Sequence, residues 1–197
     1  MTRRQCVAIG AGAVLLGVLA WAVMWGVERL TGRPEITDAV VDTSAPLPGV
    51  PRITATLFYG SEDGLALVPV QREVALAEGT VPQAREILAV QFQPAPPPYV
   101  SLIPPGTTLR AFYATDRGDA FVDLSAEVVS AHAGGSATEL LTVYAIVNAV
   151  TANLPAVQRV QILVDGREVD TLAGHVDLRR PLERDRSLVR EPGSTPN

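Results

Sequence analysis

His132 and His175 are the only histidines of the chain, and they are the first candidates for proton transfer or metal binding. A metal site or a catalytic histidine also needs partner residues at a regular spacing, and neither histidine has such a motif beside it. The single cysteine, Cys6, excludes an internal disulfide and a cysteine-rich metal centre. We therefore predict no metal and no cofactor, with His132 solvated in a loop and His175 bonded to the backbone of a turn.

Two aspartates, Asp123 and Asp177, each stand in a Val-Asp-Leu sequence and could form a carboxylate pair for acid–base catalysis. Nothing in the sequence brings the two carboxylates together. We expect both to be surface residues or turn caps, so the sequence predicts no catalytic residue.

Ser136 is the remaining candidate for a nucleophile. The segment 134–138 reads Gly-Gly-Ser-Ala-Thr, which lacks the second glycine of a G-x-S-x-G nucleophile elbow. Ser136 and Glu139 have instead the spacing of a capping box, in which each side chain binds a free backbone N–H at the start of a helix. The same helix start could bind an anion, although the charge of Glu139 opposes this.

Asn148, Leu102 and Ile103 are candidates for structural or interaction roles. Asn148 flanks the apolar stripe of a predicted helix, where a half-buried amide needs hydrogen-bond partners. We expect it to bond the backbone of an adjacent strand or loop, and a contact with a ligand or partner is the alternative. Leu102 and Ile103 begin an apolar loop that either docks a partner or packs over the sheet.

Six strands and two helices are predicted to position these residues. Alternating apolar residues mark the strands, and apolar residues at helical spacing follow capping boxes at Thr80 and Ser136. Pro94 and Pro155 end the two helices, because proline cannot donate a helical hydrogen bond. The predicted strands are 53–59, 65–74, 109–114, 120–125, 160–164 and 167–172.

The predicted order of elements is β-β-α-β-β-α-β-β, which indicates an α+β fold. Each helix has one apolar stripe, so we expect a two-layer sandwich in which both helices cover one face of a mixed β-sheet. The other face of the sheet would meet solvent or a partner. The domain is predicted to span 53–182, after a Pro- and Gly-containing linker at 31–52 and before a disordered polar tail at 183–197.

Residues 7–27 carry no charge and reach the length of roughly 20 residues that crosses a bilayer as a helix. Arg3 and Arg4 precede this segment, which favours a cytoplasmic N-terminus and an extracytoplasmic remainder. We therefore predict a single-pass membrane anchor at 1–30. The alternatives are a signal peptide cleaved at the A-x-A sequence of 20–22 and a buried core helix.

The charge of the chain bears on its partners. A formal net charge of −5 at pH 7 argues against nucleic-acid binding, because proteins that bind phosphate backbones concentrate lysine and arginine on one surface. The membrane and a protein partner remain the expected contacts.

Five motifs occur in a fixed order in the second half of the chain. They are FVDLS at 121–125, GGSATE at 134–139, YAIVN at 144–148, VQILVDG at 160–166 and TLAGHVDL at 171–178. Together they resemble the GerMN domain of sporulation and spore-germination proteins, over roughly residues 53–182. The resemblance implies an α/β fold, an extracytoplasmic placement, a role in cell-envelope or spore-related assemblies, and no known catalytic residues. The family is similar to ring-building modules, which implies self-association or partner docking.

The leading hypothesis is thus a non-catalytic, membrane-tethered domain that acts in protein–protein assembly at the cell envelope. Its partner would be an envelope protein or a second copy of the chain, bound through a sheet edge, the loop 94–106 or a helix surface. The alternative is a module that binds peptidoglycan or another cell-wall ligand, for which Tyr59, Tyr99 and Tyr113 are the aromatic candidates. An enzyme is the third hypothesis.

Overall fold

The computed structural model of the protein describes residue 49 and residues 51–190. The anchor predicted at 1–30 lies outside this range, and so does nearly all of the predicted linker. Between residues 51 and 190 no helix is both long enough and apolar enough to cross a bilayer.

The first sheet is an antiparallel hairpin of two strands, β1 (Arg52–Gly60) and β2 (Leu67–Ala75). Leu57 and Tyr59 lie on one face of β1 and are at most 1% exposed. Successive side chains of a strand point to opposite faces, yet Phe58 is also fully buried. The C-terminal half of β1 is therefore covered on both faces.

The second sheet has five strands. Four of them lie in the order β3-β4-β5-β6, and β7 pairs with another part of β5. Their bounds are β3 (Leu109–Ala114), β4 (Asp119–Leu124), β5 (Arg159–Val164), β6 (Arg167–Glu168) and β7 (Leu182–Glu183). The β4–β5 pair is parallel and the other pairs are antiparallel. A parallel pair needs a long crossover connection, which here contains helices.

Within residues 51–190 there are three helices: α1 (Thr80–Gln91), α2 (Glu127–Ser130) and α3 (Ser136–Asn153). The helix α3 forms most of the crossover between β4 and β5. Residues 141–150 of α3 are all buried except Tyr144. This helix contacts β1, β5 and α1, so it lies in the centre of the core between the two sheets.

Both long helices begin after a glycine. Gly79 and Gly135 precede α1 and α3 with φ angles of 91° and 89°, and no side chain caps either helix start. Glycine adopts positive φ without the steric cost that a side chain brings. The predicted capping boxes are wrong because Thr80 and Ser136 are the first helical residues, one position too late to cap.

The predicted α+β class is confirmed, with parallel and antiparallel strands in one sheet. The strands form two sheets, however, because helix side chains occupy the outer edge of β1. The Gln91 amide accepts the N–H of Phe58 at 2.9 Å and donates to its carbonyl at 2.7 Å. Asn153 binds the N–H and carbonyl of Thr56 in the same way, both at 2.8 Å. These two amides take the place of a neighbouring strand.

The last predicted strand, 167–172, is also shorter than expected. It ends as β6 at Glu168, and the chain continues as a loop. The N–H of Leu172 bonds to the Glu139 carboxylate at 2.8 Å, so it is not available to a sheet.

The segment 182–190, which we name the C-terminal strap, is bonded to the domain although the sequence predicts disorder from residue 183. The N–H of Leu67 donates to the carbonyl of Leu188, and the N–H of Arg190 donates to the carbonyl of Leu67, both at 2.8 Å. The Arg190 guanidinium also lies 2.8 Å from the Asp63 carboxylate. Hydrogen bonds from Ser61 and Arg190 lower the pKa of Asp63 to about 2. Composition predicts disorder from charge, but it cannot show that the strap's backbone pairs with β2.

The amide of Gln91 provides a first test of the fold. Gln91 is 2% exposed, and Gln91→Leu leaves the N–H and carbonyl of Phe58 buried without partners. We expect the free energy of unfolding, measured with urea, to fall by about 2–4 kcal/mol. The matched control is Gln71→Leu, because Gln71 is exposed on β2 and its amide bonds only to the Thr56 hydroxyl. A change within about 0.5 kcal/mol is expected there. An equal decrease in the free energy of unfolding in both variants would show that the Gln91 amide does not stabilise the outer edge of β1.

Candidate functional site

The carboxylate of Glu139 is the most enclosed charged group of the described residues, with no exposed surface. Its Oε1 accepts the backbone N–H groups of Leu172 at 2.8 Å and Ala173 at 2.9 Å. Its Oε2 accepts the N–H of His175 at 2.8 Å and lies 3.1 Å from the ring Nδ1 of the same residue. A carboxylate without a proton only accepts hydrogen bonds, so the proton of this contact is on Nδ1.

Two opposing effects set the pKa of Glu139. Burial raises it, because removal from water disfavours the charged form. The backbone N–H groups of the segment 172–176 stabilise the charge and hold the pKa below its ordinary value. Glu139 is therefore an ionised anchor for the loop after β6. The ring of His175 bonds to this carboxylate and not, as predicted, to the backbone of the turn.

Asp123 is buried beside the hairpin turn that joins β5 to β6. Its Oδ1 accepts the N–H of Gly166 at 2.7 Å, and its Oδ2 lies 3.2 Å from the Arg110 guanidinium. Asp165 and Gly166 have φ angles of 50° and 75°, which two-residue hairpins of this kind require. The hairpin predicted at Asp165-Gly166 is confirmed, and Asp123 fixes it in place.

Asp177 has separate partners from Asp123. Its carboxylate is exposed and bonds to the Arg179 guanidinium at 2.9 and 2.8 Å. These bonds hold the pKa of Asp177 well below its ordinary value. The two aspartates thus serve different local contacts. Among residues 51–190, moreover, no group of three or more acidic, histidine or cysteine side chains could hold a metal ion.

Asn148 is fully buried and bonds to the C-terminal strap. Its amide donates to the carbonyl of Asp185 at 2.7 Å and accepts the N–H of the same residue at 3.1 Å. This is the structural role expected for Asn148. Ser136, by contrast, is exposed at the first position of α3 and takes part in no cap.

Leu102 and Ile103 line a cleft of about 310 Å³ between the loop 100–105, the segment 131–133 and α3. The cleft is mainly apolar. The Thr142 hydroxyl donates to the carbonyl of Leu102 at 2.8 Å, which fixes the loop on α3. Leu102 and Ile103 are both partly buried, so the loop packs on the helix while part of its surface faces the cleft.

His132 also lines this cleft and is half-buried rather than solvated as predicted. Its Nδ1 accepts the N–H of Gly134 at 2.9 Å. The difference from the prediction has a local reason, because the bond to the N–H of Gly134 holds the His132 ring against its own loop.

Several structural side chains on the helices were not singled out from the sequence, among them Gln91, Thr142 and Asn153. Gln91 and Asn153 each follow two apolar residues of the same helix face, and Thr142 precedes two, Ala145 and Ile146. Such a position requires a partner for the polar group, and this was the only signal that could have identified them. The identity of that partner depends on the tertiary fold.

Comparison with known proteins identifies the family. A family model described as Germane, sporulation and spore germination, matches residues 56–170, which is more than half of the chain. The chain belongs to this family. The resemblance to GerMN domains is therefore confirmed. No curated protein is significantly similar to this Germane-family chain.

Three solved structures are similar to this chain, one of them with a TM-score above 0.5. The tandem GerMN domains of the sporulation protein GerM from Bacillus subtilis align with a TM-score of 0.51 and 15% identity, over 68% of this chain and 46% of that chain. The first GerMN domain of the same protein aligns over 68% and 98%, with a TM-score of 0.48 and 14% identity. A candidate lipoprotein from Clostridium perfringens aligns over 70% and 93%, with a TM-score of 0.48 and 23% identity.

The buried carboxylate gives a testable pH dependence. The folded-state pKa of Glu139 is depressed, so its contribution to stability is complete above the ordinary value of 4.5 and is lost as the pH falls through the folded-state pKa. Glu139→Gln places an amide N–H group against backbone N–H donors. We expect the free energy of unfolding at pH 7 to be lower in the variant by on the order of 3 kcal/mol.

The difference between wild type and Glu139→Gln should narrow below pH 4.5, as measured by urea unfolding across pH. Glu168→Gln is the matched control, since Glu168 is exposed on β6 and a change within about 0.5 kcal/mol is expected. A Glu139→Gln difference that stays constant from pH 7 to pH 3 would show that the carboxylate's charge is not what stabilises the loop.

Proposed function

We propose that this Germane-family chain is a non-catalytic, membrane-tethered domain that acts outside the cytoplasm in protein–protein assembly at the cell envelope. The setting would be the sporulation or germination context that the family description names. Its partner would be an envelope protein or a second copy of the chain.

The use of the polar side chains is the observation that supports this proposal most. Glu139, Asp123 and Asn148 are all buried, and each bonds to backbone groups of the protein itself. A catalytic group needs free hydrogen-bonding capacity at a site that substrate can reach. These three side chains instead rigidify loops, which favours a domain that presents surfaces.

Several surfaces of the described residues suit a protein partner. Strand β3 lies at the edge of the five-stranded sheet, and Tyr113 on this strand is 58% exposed. Around the cleft, Val100 is 43% exposed and lines its rim, and Leu65 beside the lining residue Gly64 is 69% exposed. Edge strands and exposed apolar patches are both recurrent protein-binding features.

The proposed placement depends on the N-terminal sequence. The uncharged segment 7–27, preceded by Arg3 and Arg4, supports a membrane anchor with a cytoplasmic N-terminus. The remainder of the chain would then lie on the opposite side of the membrane.

A cell-wall glycan or peptide is less well supported as the ligand. Tyr59 is 1% exposed, so it cannot stack on a sugar. Tyr99 is partly buried, which leaves Tyr113 as the one well-exposed member of the three tyrosines proposed for this role. One exposed ring provides little of the aromatic platform that such sites use.

Site-specific photo-crosslinking tests assembly directly, because the chain has no lysine for amine-reactive reagents. A photo-reactive amino acid replaces Tyr113 on the sheet edge, Val100 on the loop, or Arg85 on α1 in the full chain in membranes. We expect a discrete adduct from at least one position and none from the exposed turn residue Thr115. Monomer alone at all three positions, together with a monomer mass that does not change with concentration in detergent, would rule out assembly.

A further inference from the structure

The C-terminal strap holds two arginines beside a polar cleft that shares no lining residue with the apolar cleft. This second cleft measures about 400 Å³. Its lining is mainly polar and comprises Thr151, Val157, Gln158, Glu183, Arg184 and Arg186. Neither Arg184 nor Arg186 forms an ion pair within residues 51–190, whereas four other arginines there pair with aspartates.

The backbone of the strap places the two guanidinium groups together. Asn148 bonds both the N–H and the carbonyl of Asp185, which fixes the strap between the two arginines. Arg184 and Arg186 both line this cleft, so their side chains lie on the same side of the strap. The Arg184 guanidinium also lies 5.9 Å from the centre of the Phe58 ring, a distance at which a cation is attracted to an aromatic face.

The nearest carboxylates do not neutralise this pair. Asp185 stands between the arginines in sequence, but its Oδ1 accepts the N–H and the hydroxyl of Ser187 at 2.7 and 2.6 Å. Glu183 lines the cleft and forms no ion pair with either arginine. Burial and the neighbouring charge of Arg186 both lower the pKa of Arg184, which is consistent with two close, uncompensated positive charges.

We propose that this cleft binds a phosphodiester group between Arg184 and Arg186. Guanidinium groups donate pairs of parallel hydrogen bonds that match the oxygens of a phosphate. With Glu183 included, the three charged side chains leave one net positive charge, which a phosphodiester with its single negative charge balances. The Gln158 amide, which also lines the cleft, provides a further donor. The phosphodiester could belong to a lipid headgroup or to a soluble molecule.

Titration of the full chain in maltoside micelles tests this site with two probes. One probe is glycerophosphoglycerol in solution, and the other is phosphatidylglycerol mixed into the micelles. The signals of the Arg184 and Arg186 side-chain Nε–H groups report binding by NMR. We expect saturable shifts of these signals with one or both probes at constant ionic strength. A response to phosphatidylglycerol alone identifies a lipid headgroup, and a response to both identifies any phosphodiester.

Variants that remove charge distinguish specific binding in this cleft from nonspecific electrostatic attraction to the protein surface. The double variant Arg184→Gln/Arg186→Gln should weaken binding at least tenfold. The matched control, Arg117→Gln/Arg167→Gln, removes the same charge from two other exposed arginines without ion pairs in the described residues and should change binding less than twofold. Glu183→Gln should strengthen binding severalfold, because it removes the one negative charge of the cleft.

The proposal is overturned if both double variants lose affinity equally, or if sodium chloride at the same ionic strength produces the same shifts. Arg184→Lys keeps the charge but loses the paired donors, and it should give an intermediate affinity. Urea unfolding of each variant verifies that the domain remains folded, so a folded double variant that binds like wild type also refutes the site.

Discussion

The structure depends on how the central helix α3 satisfies the backbone of the segments packed around it. Four polar side chains along α3 each bind a different segment. Glu139 binds the loop 172–175, Thr142 the carbonyl of Leu102, Asn148 both backbone groups of Asp185, and Asn153 those of Thr56. Backbone groups buried without a partner are costly, and these four side chains provide the partners. The helix is thus both the centre of the core and the point where loops, hairpin and strap are fastened.

This arrangement connects the fold to the proposed role. Glu139, Asp123 and Asn148 all hold backbone groups of the protein itself. The surface around them presents an edge strand, an apolar cleft and the polar cleft of the strap. The polar cleft exists because Asn148 fixes the strap at Asp185, so the same bond from α3 that orders the C-terminal segment also positions Arg184 and Arg186.

The sequence predicts most of the helices and strands, but it does not predict the polar contacts between them. Periodicity correctly located both long helices and the five strands β1 to β5. The pair Asp165-Gly166 correctly predicted a tight turn. The S-x-x-E spacing misassigned Glu139, because the pattern cannot show whether a carboxylate turns back to its helix start or outward to a loop 33 residues later. Charge composition misassigned the strap for a similar reason. Its partners, Asn148 and Leu67, are distant in sequence and are brought to it only by the fold.

Amide hydrogen exchange of the full chain tests the central role of α3 most directly. The N–H groups of Leu172, Ala173 and His175 lie outside any helix or strand, yet the structure bonds each to the Glu139 carboxylate. We predict that these three amides exchange almost as slowly as those of the buried half of α3, while the exposed turn between β3 and β4 exchanges rapidly. Exchange of the three amides at the rate of that turn would contradict the account, because α3 would then not hold the surrounding backbone.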